Sequence, residues 1–244
     1  MKTNTGLIGR GKWGIKLKSK LIKNTNLKFM CGKNTNYSKL IKKNNVSWVF
    51  IATPNHTHYK IVKNCLNLKV NVFCEKPLTE SLLNSKNLFN IAKKNKVKLF
   101  VSDVYSFHNK KISKLKTKNI VYRSKKVKGN DTEFLNRFMY HDVSILYKFI
   151  NKTKIKSLQF HKNKNKKLIN LNIVFKNYKQ ILFKYDLSSK QKKHRINNIN
   201  LLTKKDILKE MLYNVIYKKN NIKNNNEKAL FVLKFINLLK RKIK

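Results

Sequence analysis

Acidic residues, glycine, cysteine and proline are all scarce in this chain of 244 residues. Asp and Glu together number 10, glycine 6, cysteine 3 and proline 2. The three cysteines, Cys31, Cys65 and Cys74, form no CxxC pair and leave an odd count. The sequence therefore predicts neither a disulfide framework nor a metal site, and it favours a reducing compartment.

Long apolar runs are also missing. None approaches the roughly 18 to 20 residues that a membrane-spanning helix requires. The polar stretch MKTNTGLIGRG at the start lacks the apolar core of a secretory signal. We therefore expect a soluble, cytoplasmic protein with no membrane partner. Hydrophobic residues make up 41% of the chain, which is enough to bury a core and argues against a disordered chain.

Basic residues, in contrast, are abundant: Lys and Arg number 58, and the formal net charge is +48. Such a charge makes nucleic acid the default partner, because Lys and Arg neutralise phosphates. Only five of the 58 are arginine, however, the residue that contacts phosphates and bases in bidentate fashion. Lysine and asparagine both have AT-rich codons and are spread along the whole chain, which is typical of compositional drift. We expect non-specific adhesion to nucleic acid and no specific nucleic-acid partner.

The first hundred residues alternate between strand and helix patterns. Strand patterns occur at residues 5–8, 27–31, 46–52, 70–74 and 97–101, and helical patterns follow the first, third and fourth of them. Strands that alternate with helices in this way predict an α/β domain with a doubly wound parallel sheet, here over residues 1–105.

From residue 106 onward the pattern changes. A strand at 120–127 and a helix at 133–150 precede four β-type runs, at 155–160, 168–175, 181–187 and 196–202, and two closing helices at 207–217 and 227–243. Consecutive strands after one αβ unit predict an α+β domain with a mostly antiparallel sheet over residues 106–244.

Three of the six glycines follow the first predicted strand directly. Gly9, Gly11 and Gly14 form a GxGxxG pattern that ends a strand and opens a helix, which is the context of a dinucleotide-binding turn. In that turn the first glycine permits the tight bend, the second admits the pyrophosphate and the third lets the helix pack closely. We predict a Rossmann domain in which Arg10, Lys12 and Trp13 also line the cofactor site. The alternative is an ordinary glycine-rich turn.

The acidic residue that usually follows the second strand is missing. An Asp or Glu there normally binds the ribose hydroxyls of NAD, yet residues 30–34 read Met-Cys-Gly-Lys-Asn. Lys33 could instead face the 2′-phosphate of NADP. Because lysine is so common in this chain, the sequence leaves the choice between NAD and NADP open.

Both prolines stand in polar loops after predicted strands, where open α/β sheets bind ligands. The loops read ATPNHTH at residues 52–58 and CEKPL at residues 74–78. With GRGKWG before them and the pair His141-Asp142 after them, in this order and spacing, they resemble the Gfo/Idh/MocA family, named for glucose-fructose oxidoreductase and inositol dehydrogenase. The resemblance is close over about the first 105 residues and looser toward the C-terminus.

This resemblance implies an NAD(P)-dependent oxidoreductase in which an open-faced sheet follows the Rossmann domain and often forms an oligomer. It places Lys76 near both the nicotinamide and the substrate hydroxyl, where the like charge of the oxidised ring destabilises the lysine proton. It makes His141 the acid/base that exchanges the hydroxyl proton. Asp142 orients that histidine or replaces part of a missing aspartate, since Ser144 stands where many members have Asp. The cofactor contacts that it implies are Thr53, Pro54, Asn55, His58 and Glu75.

The predicted reaction is hydride transfer between a nicotinamide cofactor and a carbinol or ketone carbon of a sugar or sugar nucleotide, in a homo-oligomer formed through the C-terminal sheet. About 140 residues follow the first domain, fewer than family members typically have, so we expect a shortened substrate domain. That leaves open a reductase of a smaller ketone or imine, and a member that binds cofactor or a partner without catalysis. A basic nucleic-acid binder would need a recognition motif, and none is present. His141 could also be a core histidine, and His108, His161 and His194 belong to no recognised motif.

Overall fold

The computed structural model describes residues 2–107, 115–126, 135–163, 167–218 and 222–242. Its elements in chain order are β1 (Asn4–Ile8), α1 (Lys12–Asn24), β2 (Asn26–Cys31), α2 (Tyr37–Lys43), β3 (Trp48–Ile51), α3 (Asn55–Asn67), β4 (Asn71–Cys74), α4 (Leu82–Lys94), β5 (Leu99–Val101), a 3-10 turn (Val104–Phe107), β6 (Lys118–Ser124), a π-helical turn (Leu135–Met139), α5 (Tyr140–Ile150), β7 (Ile155–Asn163), β8 (Leu168–Phe175), β9 (Gln180–Asp186), β10 (Lys193–Ile196), β11 (Ile199–Asn200), α6 (Ile207–Tyr217) and α7 (Ile222–Lys242). The predicted start of the helix at residues 133–150 and the predicted end of the strand at residues 120–127 lie outside the described residues.

The chain folds into two units. The first unit comprises Met1–Phe107 and Asp206–Phe235, and the second comprises His108–Lys205 and Ile236–Lys244. Contacts of α6 and of the first part of α7 join residues 206–235 to the first unit. Along the chain, residues 108–205 of the second unit therefore stand between the two parts of the first, and residues 236–244 follow its second part.

Five parallel strands form the sheet of the first unit, in the order β2-β1-β3-β4-β5. This is the doubly wound α/β sheet that the sequence predicts. The chain passes from β1 outward to β2 and then returns across β1 to β3, so the strand order reverses between β1 and β3. Ligands of such sheets bind at this reversal, outside the carboxyl ends of the strands.

The two faces of this sheet bury different side chains, because successive strand residues point to opposite faces. One face is aromatic: Trp48 lies 6.3 Å from Phe50, Phe50 5.2 Å from Phe73, and Phe73 5.8 Å from Phe100 between ring centroids. Leu17 and Leu21 of α1 cover part of this face. The remaining cover comes from the apolar face of α6, which consists of Leu208, Met211, Leu212 and Val215. This packing explains why a helix more than a hundred residues downstream belongs to the first unit.

The opposite face packs against α2, α3 and α4 and holds the three cysteines, all buried and free. At the β5 edge of the sheet, the Asn225 side chain of α7 forms hydrogen bonds with the backbone of Val101, as a neighbouring strand would. Its side-chain oxygen accepts from the Val101 amide and its nitrogen donates to the Val101 carbonyl, both at 2.9 Å. Lys228 of the same helix pairs with Asp103 at 2.6 Å. These contacts fix the first part of α7 at the end of β5.

Six strands form the sheet of the second unit, in the order β11-β10-β6-β9-β8-β7. Every pair is antiparallel except β6 with β9, so the prediction of a mostly antiparallel sheet is confirmed. Tyr178, with φ at 61°, lies in the turn between β8 and β9. Within the described ranges, no helix is both long and apolar enough to span a membrane.

Candidate functional site

The loop between β1 and α1 requires glycine at two positions for steric reasons. Gly9 has φ at +124°, and a Cβ there would lie 2.3 Å from the Ala52 carbonyl oxygen at the end of β3. A Cβ on Gly14 would lie 2.1 Å from the Gly9 carbonyl oxygen. Both glycines therefore let backbone approach backbone, which closes the turn and seats α1 against it.

Gly11 differs from the other two glycines of the loop because its Cβ side meets nothing within 4 Å. It is the N-cap of α1, and no side chain caps the helix there. The first-turn amides of α1 and the helix dipole therefore face an open, unhindered surface, where an anion is favoured. A pyrophosphate fits this cradle, and Gly11 is the residue at which a methyl group would fill it.

Arg10, Lys12 and Trp13 surround the cradle as exposed side chains. Trp13 is 40% exposed, and the Lys16 ammonium lies 4.5 Å from its ring centroid. The Trp13 indole also hydrogen-bonds the side chain of Glu75, which links the glycine loop to the loop after β4.

The loop after β3 leads straight into α3. Pro54 precedes the first helical residue, Asn55, and its fixed φ suits that position. The Thr57 hydroxyl lies 2.7 Å from both the Thr53 hydroxyl and the Pro54 carbonyl. The Thr53 side chain is thereby held at the carboxyl end of β3, partly exposed to solvent.

His58 is completely buried and joins two of the loops. Its Nε2 lies 2.9 Å from the Thr53 carbonyl and its Nδ1 2.9 Å from the Pro77 carbonyl. Burial lowers its pKa, although the carbonyl contacts oppose that effect. The ring therefore connects the loop after β3 to the loop after β4 and holds these two loops in position.

Glu75 and Lys76 follow β4 directly. Glu75 is 7% exposed, and burial raises the pKa of its carboxyl, while hydrogen bonds from Trp13 and Ser102 and the charge of Lys76 act in the opposite direction. Its Oε1 has no hydrogen-bond partner among the described residues. Lys76 is partly exposed and precedes Pro77 across a cis peptide bond.

The first unit thus brings the three predicted loops together at one edge of its sheet. Gly9 touches Ala52, His58 connects the loops after β3 and β4, and Trp13 contacts Glu75. Lys33 lies apart from this group, in the turn after β2, and is exposed.

In the second unit, Asp142 is fully buried and forms the centre of a polar cluster. Its carboxylate accepts from Arg123 Nη1 at 3.2 Å and from the Tyr185 hydroxyl at 2.9 Å, and it lies 2.7 Å from His194 Nε2. The charges of Arg123 and His194 and these hydrogen bonds outweigh burial and lower the pKa of Asp142 to about 2. The carboxylate therefore stays ionised and connects α5 to strands β6, β9 and β10.

His141 precedes this carboxylate on α5 and is partly exposed, with its ring edge-on to Tyr140 at 6.3 Å. Because Asp142 is held by three partners from the sheet, the first turn of α5 and its histidine have a fixed orientation.

Sequence reasoning missed the three partners of Asp142, namely Arg123, Tyr185 and His194. No motif contains them. Strand alternation held a signal, however: Arg123 lies two residues after Val121, and His194 two residues before Ile196, so both polar residues occupy inward positions of apolar strands. A charge at an inward position predicts a buried partner.

Comparison with known proteins gives the same N-terminal domain. Residues 16–103 match the family model described as oxidoreductase family, NAD-binding Rossmann fold. The glycine loop lies just outside this match, whereas Thr53, His58 and Lys76 lie within it.

An uncharacterized oxidoreductase of Schizosaccharomyces pombe is 36% identical over 67 residues, 28% of this chain and 18% of the relative. One from Streptococcus pneumoniae is 31% identical over 71 residues, 29% of this chain and 19% of the relative. The chain thus matches less than a fifth of each relative's length.

Solved structures share the fold over nearly the whole chain. A UDP-N-acetylglucosamine 3-dehydrogenase from Acidithiobacillus ferrooxidans superposes with a TM-score of 0.80 at 14% identity, covering 98% of this chain and 96% of that one. A dehydrogenase from Thermus thermophilus, solved with NAD and UDP-GlcNAcA, gives 0.75 at 12% identity, covering 97% and 94%. Residues 16–103 are therefore similar to the Gfo/Idh/MocA family of oxidoreductases, whose family model describes an NAD-binding Rossmann fold.

Proposed function

We propose that the protein is an NAD(P)-dependent oxidoreductase that acts at a carbinol or ketone carbon of a sugar or sugar nucleotide. The observation that carries this proposal is the contrast within the glycine loop. Gly9 and Gly14 are closed off by backbone, whereas Gly11 and the uncapped start of α1 are open. An open cradle between two sterically required glycines is what a bound pyrophosphate needs. The sugar class rests on the neighbouring dehydrogenases named above.

The cofactor site in this proposal consists of the edge formed by the first unit. Gly9, Arg10, Gly11, Lys12, Trp13 and Gly14 surround the pyrophosphate, Lys33 lies toward the adenosine end, and Thr53, Pro54, Asn55, Glu75 and Lys76 line the nicotinamide end. His58 acts from beneath, by holding the Thr53 and Pro77 carbonyls at a fixed separation. When bound, the nicotinamide supplies the hydride chemistry.

The proton chemistry falls to Lys76 and His141. During oxidation of a carbinol, the hydroxyl proton must leave as the C–H bond gives up its hydride, and a partly exposed imidazole or amine can accept it. Asp142 acts through His141 rather than on substrate, since it is fully buried and already bound by three partners. We assign it as a positioning residue.

Cofactor binding tests this proposal directly, and the two tryptophans of the chain suit the assay. Trp13 is 40% exposed beside the cradle, whereas Trp48 is 3% exposed. Titration with NADH and NADPH should quench the fluorescence saturably, in the micromolar to millimolar range typical of enzyme ligands. Trp13→Phe should remove most of the quenching. Absence of binding by both cofactors would refute the proposal.

Turnover tests the role of Lys76. Once a substrate is found among UDP-sugars and simple polyols, Lys76→Met should lower kcat by about a hundredfold or more, as loss of an acid/base group does. Lys60→Met, an exposed lysine of α3, is the matched control. Turnover of small ketones or imines alone would favour the alternative substrate class.

The outer face of the second sheet is the surface that we propose for self-association. Strand register places Ile120 beside Leu182 there, flanked by the hydrogen-bonded Gln159, Asn172 and Gln180. Ile120 is 45% exposed. Light scattering should give a mass above that of one chain, and Ile120→Lys should reduce it. A wild-type monomer would contradict this part of the proposal.

A further inference from the structure

The adenosine end of the cofactor site is defined by the strand next to the glycine loop. In doubly wound sheets, the ribose of the adenosine lies at the carboxyl end of the second strand, and NAD enzymes keep a carboxylate there for its hydroxyls. In this chain, that end is Cys31, followed by the turn of residues 32–36. No Asp or Glu occurs anywhere in residues 1–74. The carboxylate that would select NAD is therefore missing from every element up to β4.

A cation occupies this end of the sheet instead. Arg10 leaves the glycine loop and extends across the end of β2, with its Nη2 3.5 Å from the Met30 carbonyl oxygen. Its Cδ lies 3.4 Å from the position where a Cβ on Gly32 would stand. The Arg10 charge also acts to lower the pKa of the Cys31 thiol, against the larger effect of burial. The exposed guanidinium thus lies within reach of the carboxyl end of β2.

Gly32 lies beside the Arg10 stem. A Cβ at position 32 would stand 3.4 Å from Arg10 Cδ, which is an ordinary van der Waals distance, so the arginine stem passes close to the turn after β2. In the part of the chain that the structure describes, no carboxylate pairs with Arg10, and one long contact to Met30 uses one of its five N–H donors. Lys33, exposed in the same turn, adds a second positive charge.

From this geometry we infer that the protein selects NADP over NAD, with Arg10 as the residue that determines the choice and Lys33 in support. The inference rests on the proposed function. A 2′-phosphate carries nearly two negative charges at neutral pH and offers the planar guanidinium a bidentate partner. The 2′-hydroxyl of NAD offers this site no comparable partner and finds no carboxylate to accept its hydrogen bond.

Fluorescence titration of the full-length protein with NADPH and NADH tests the inference. NADPH should bind at least tenfold more tightly, and Arg10→Gln should abolish that preference by weakening NADPH binding at least tenfold more than NADH binding. Lys33→Gln should reduce the preference by a smaller factor. In competition experiments, 2′-phospho-AMP should displace bound cofactor more effectively than AMP does. Neither competitor contains nicotinamide, so this difference reports on the 2′ position alone.

The net charge of +48 demands a control, because NADPH is more anionic than NADH. Lys18→Gln removes the same charge from an exposed position on α1 and should leave the preference intact. If it lowers the preference as much as Arg10→Gln does, general electrostatic attraction explains the data and the inference fails. Equal or tighter binding of NADH also overturns it, yet leaves the proposed function standing. Only the absence of binding by both cofactors would remove the proposed function itself.

Discussion

Gly9 and Gly11 offer a pair of alanine substitutions that separates folding from cofactor binding. In Gly9→Ala, the new residue must adopt φ near +124°, which costs roughly 1–3 kcal/mol for a non-glycine residue. Its Cβ also meets the Ala52 carbonyl oxygen at 2.3 Å, where ordinary contact begins at 3.4 Å. Relief of such overpacking typically costs a further 1–3 kcal/mol, roughly. The total of about 4 kcal/mol corresponds to a fall in Tm of about 8–16 °C for a chain of this size.

Gly11→Ala should behave in the opposite way. Its φ of −70° is accessible to alanine, so the less flexible unfolded chain contributes about 0.4–1 kcal/mol of stability. Alanine is a poorer N-cap than glycine by about the same amount, so the two effects nearly cancel. The methyl group nevertheless fills the open cradle, and cofactor affinity should fall at least about tenfold, or 1.4 kcal/mol. Differential scanning fluorimetry and fluorescence titration measure both properties. A Gly11→Ala protein that binds cofactor normally, or melts as early as Gly9→Ala, would refute the reasoning.

Three further predictions concern charge. Asp142→Asn should lower the free energy of unfolding by about 3–5 kcal/mol, because it leaves Arg123 buried without its carboxylate. The control Lys20→Gln breaks a partly exposed ion pair and should cost less than about 1 kcal/mol. If urea unfolding gives the two variants equal losses of stability, the reasoning is wrong. The pKa of His58 in the folded protein lies below its ordinary 6.5, so the unfolded chain takes up the proton first as the pH falls. The stability that neutral His58 contributes should be full above pH 6.5 and decline as the pH falls below it. In urea titrations at several pH values, His58→Gln should flatten this decline. The exposed neighbour His56 faces the same ring and must be replaced by Asn in a parallel control. Retention on immobilised DNA should vanish between roughly 50 and 200 mM salt without sequence preference, and persistence of a sequence-dependent fraction would revive a specific nucleic-acid partner.

The fold of the first hundred residues was readable from sequence because buried parallel strands are short, continuous apolar runs bounded by loop residues. The strand at Trp48–Ile51 is an example, ended by the loop that contains Pro54. Helix α2 escaped prediction, since it has seven residues, one buried side chain and a cap from Asn36 that resembles many other asparagines. The role of α6 also escaped. Its amphipathic pattern predicts a helix, but no local signal tells which of two apolar sheets will receive it.

Some residues of the candidate site could likewise be predicted from the sequence, and others could not. Gly9, Gly14 and the loop prolines stood out because glycine and proline are rare and act through local backbone geometry. Asp142 was noticed for its neighbour His141, yet its surroundings depend on Arg123, Tyr185 and His194, which lie on three separate strands. Such a cluster forms only through tertiary packing, which residue spacing does not encode.

The position of residues 108–205 between β5 and α6 has a consequence for the order of events during synthesis. The aromatic face of the first sheet, formed by Trp48, Phe50, Phe73 and Phe100, is complete once residue 107 has left the ribosome. Its cover by α6 arrives about a hundred residues later. At the roughly 5–20 residues per second of translation, the part of this face that α6 covers stays exposed for seconds, longer than collapse takes. Until then the nascent chain should depend on chaperones to shield its aromatic face.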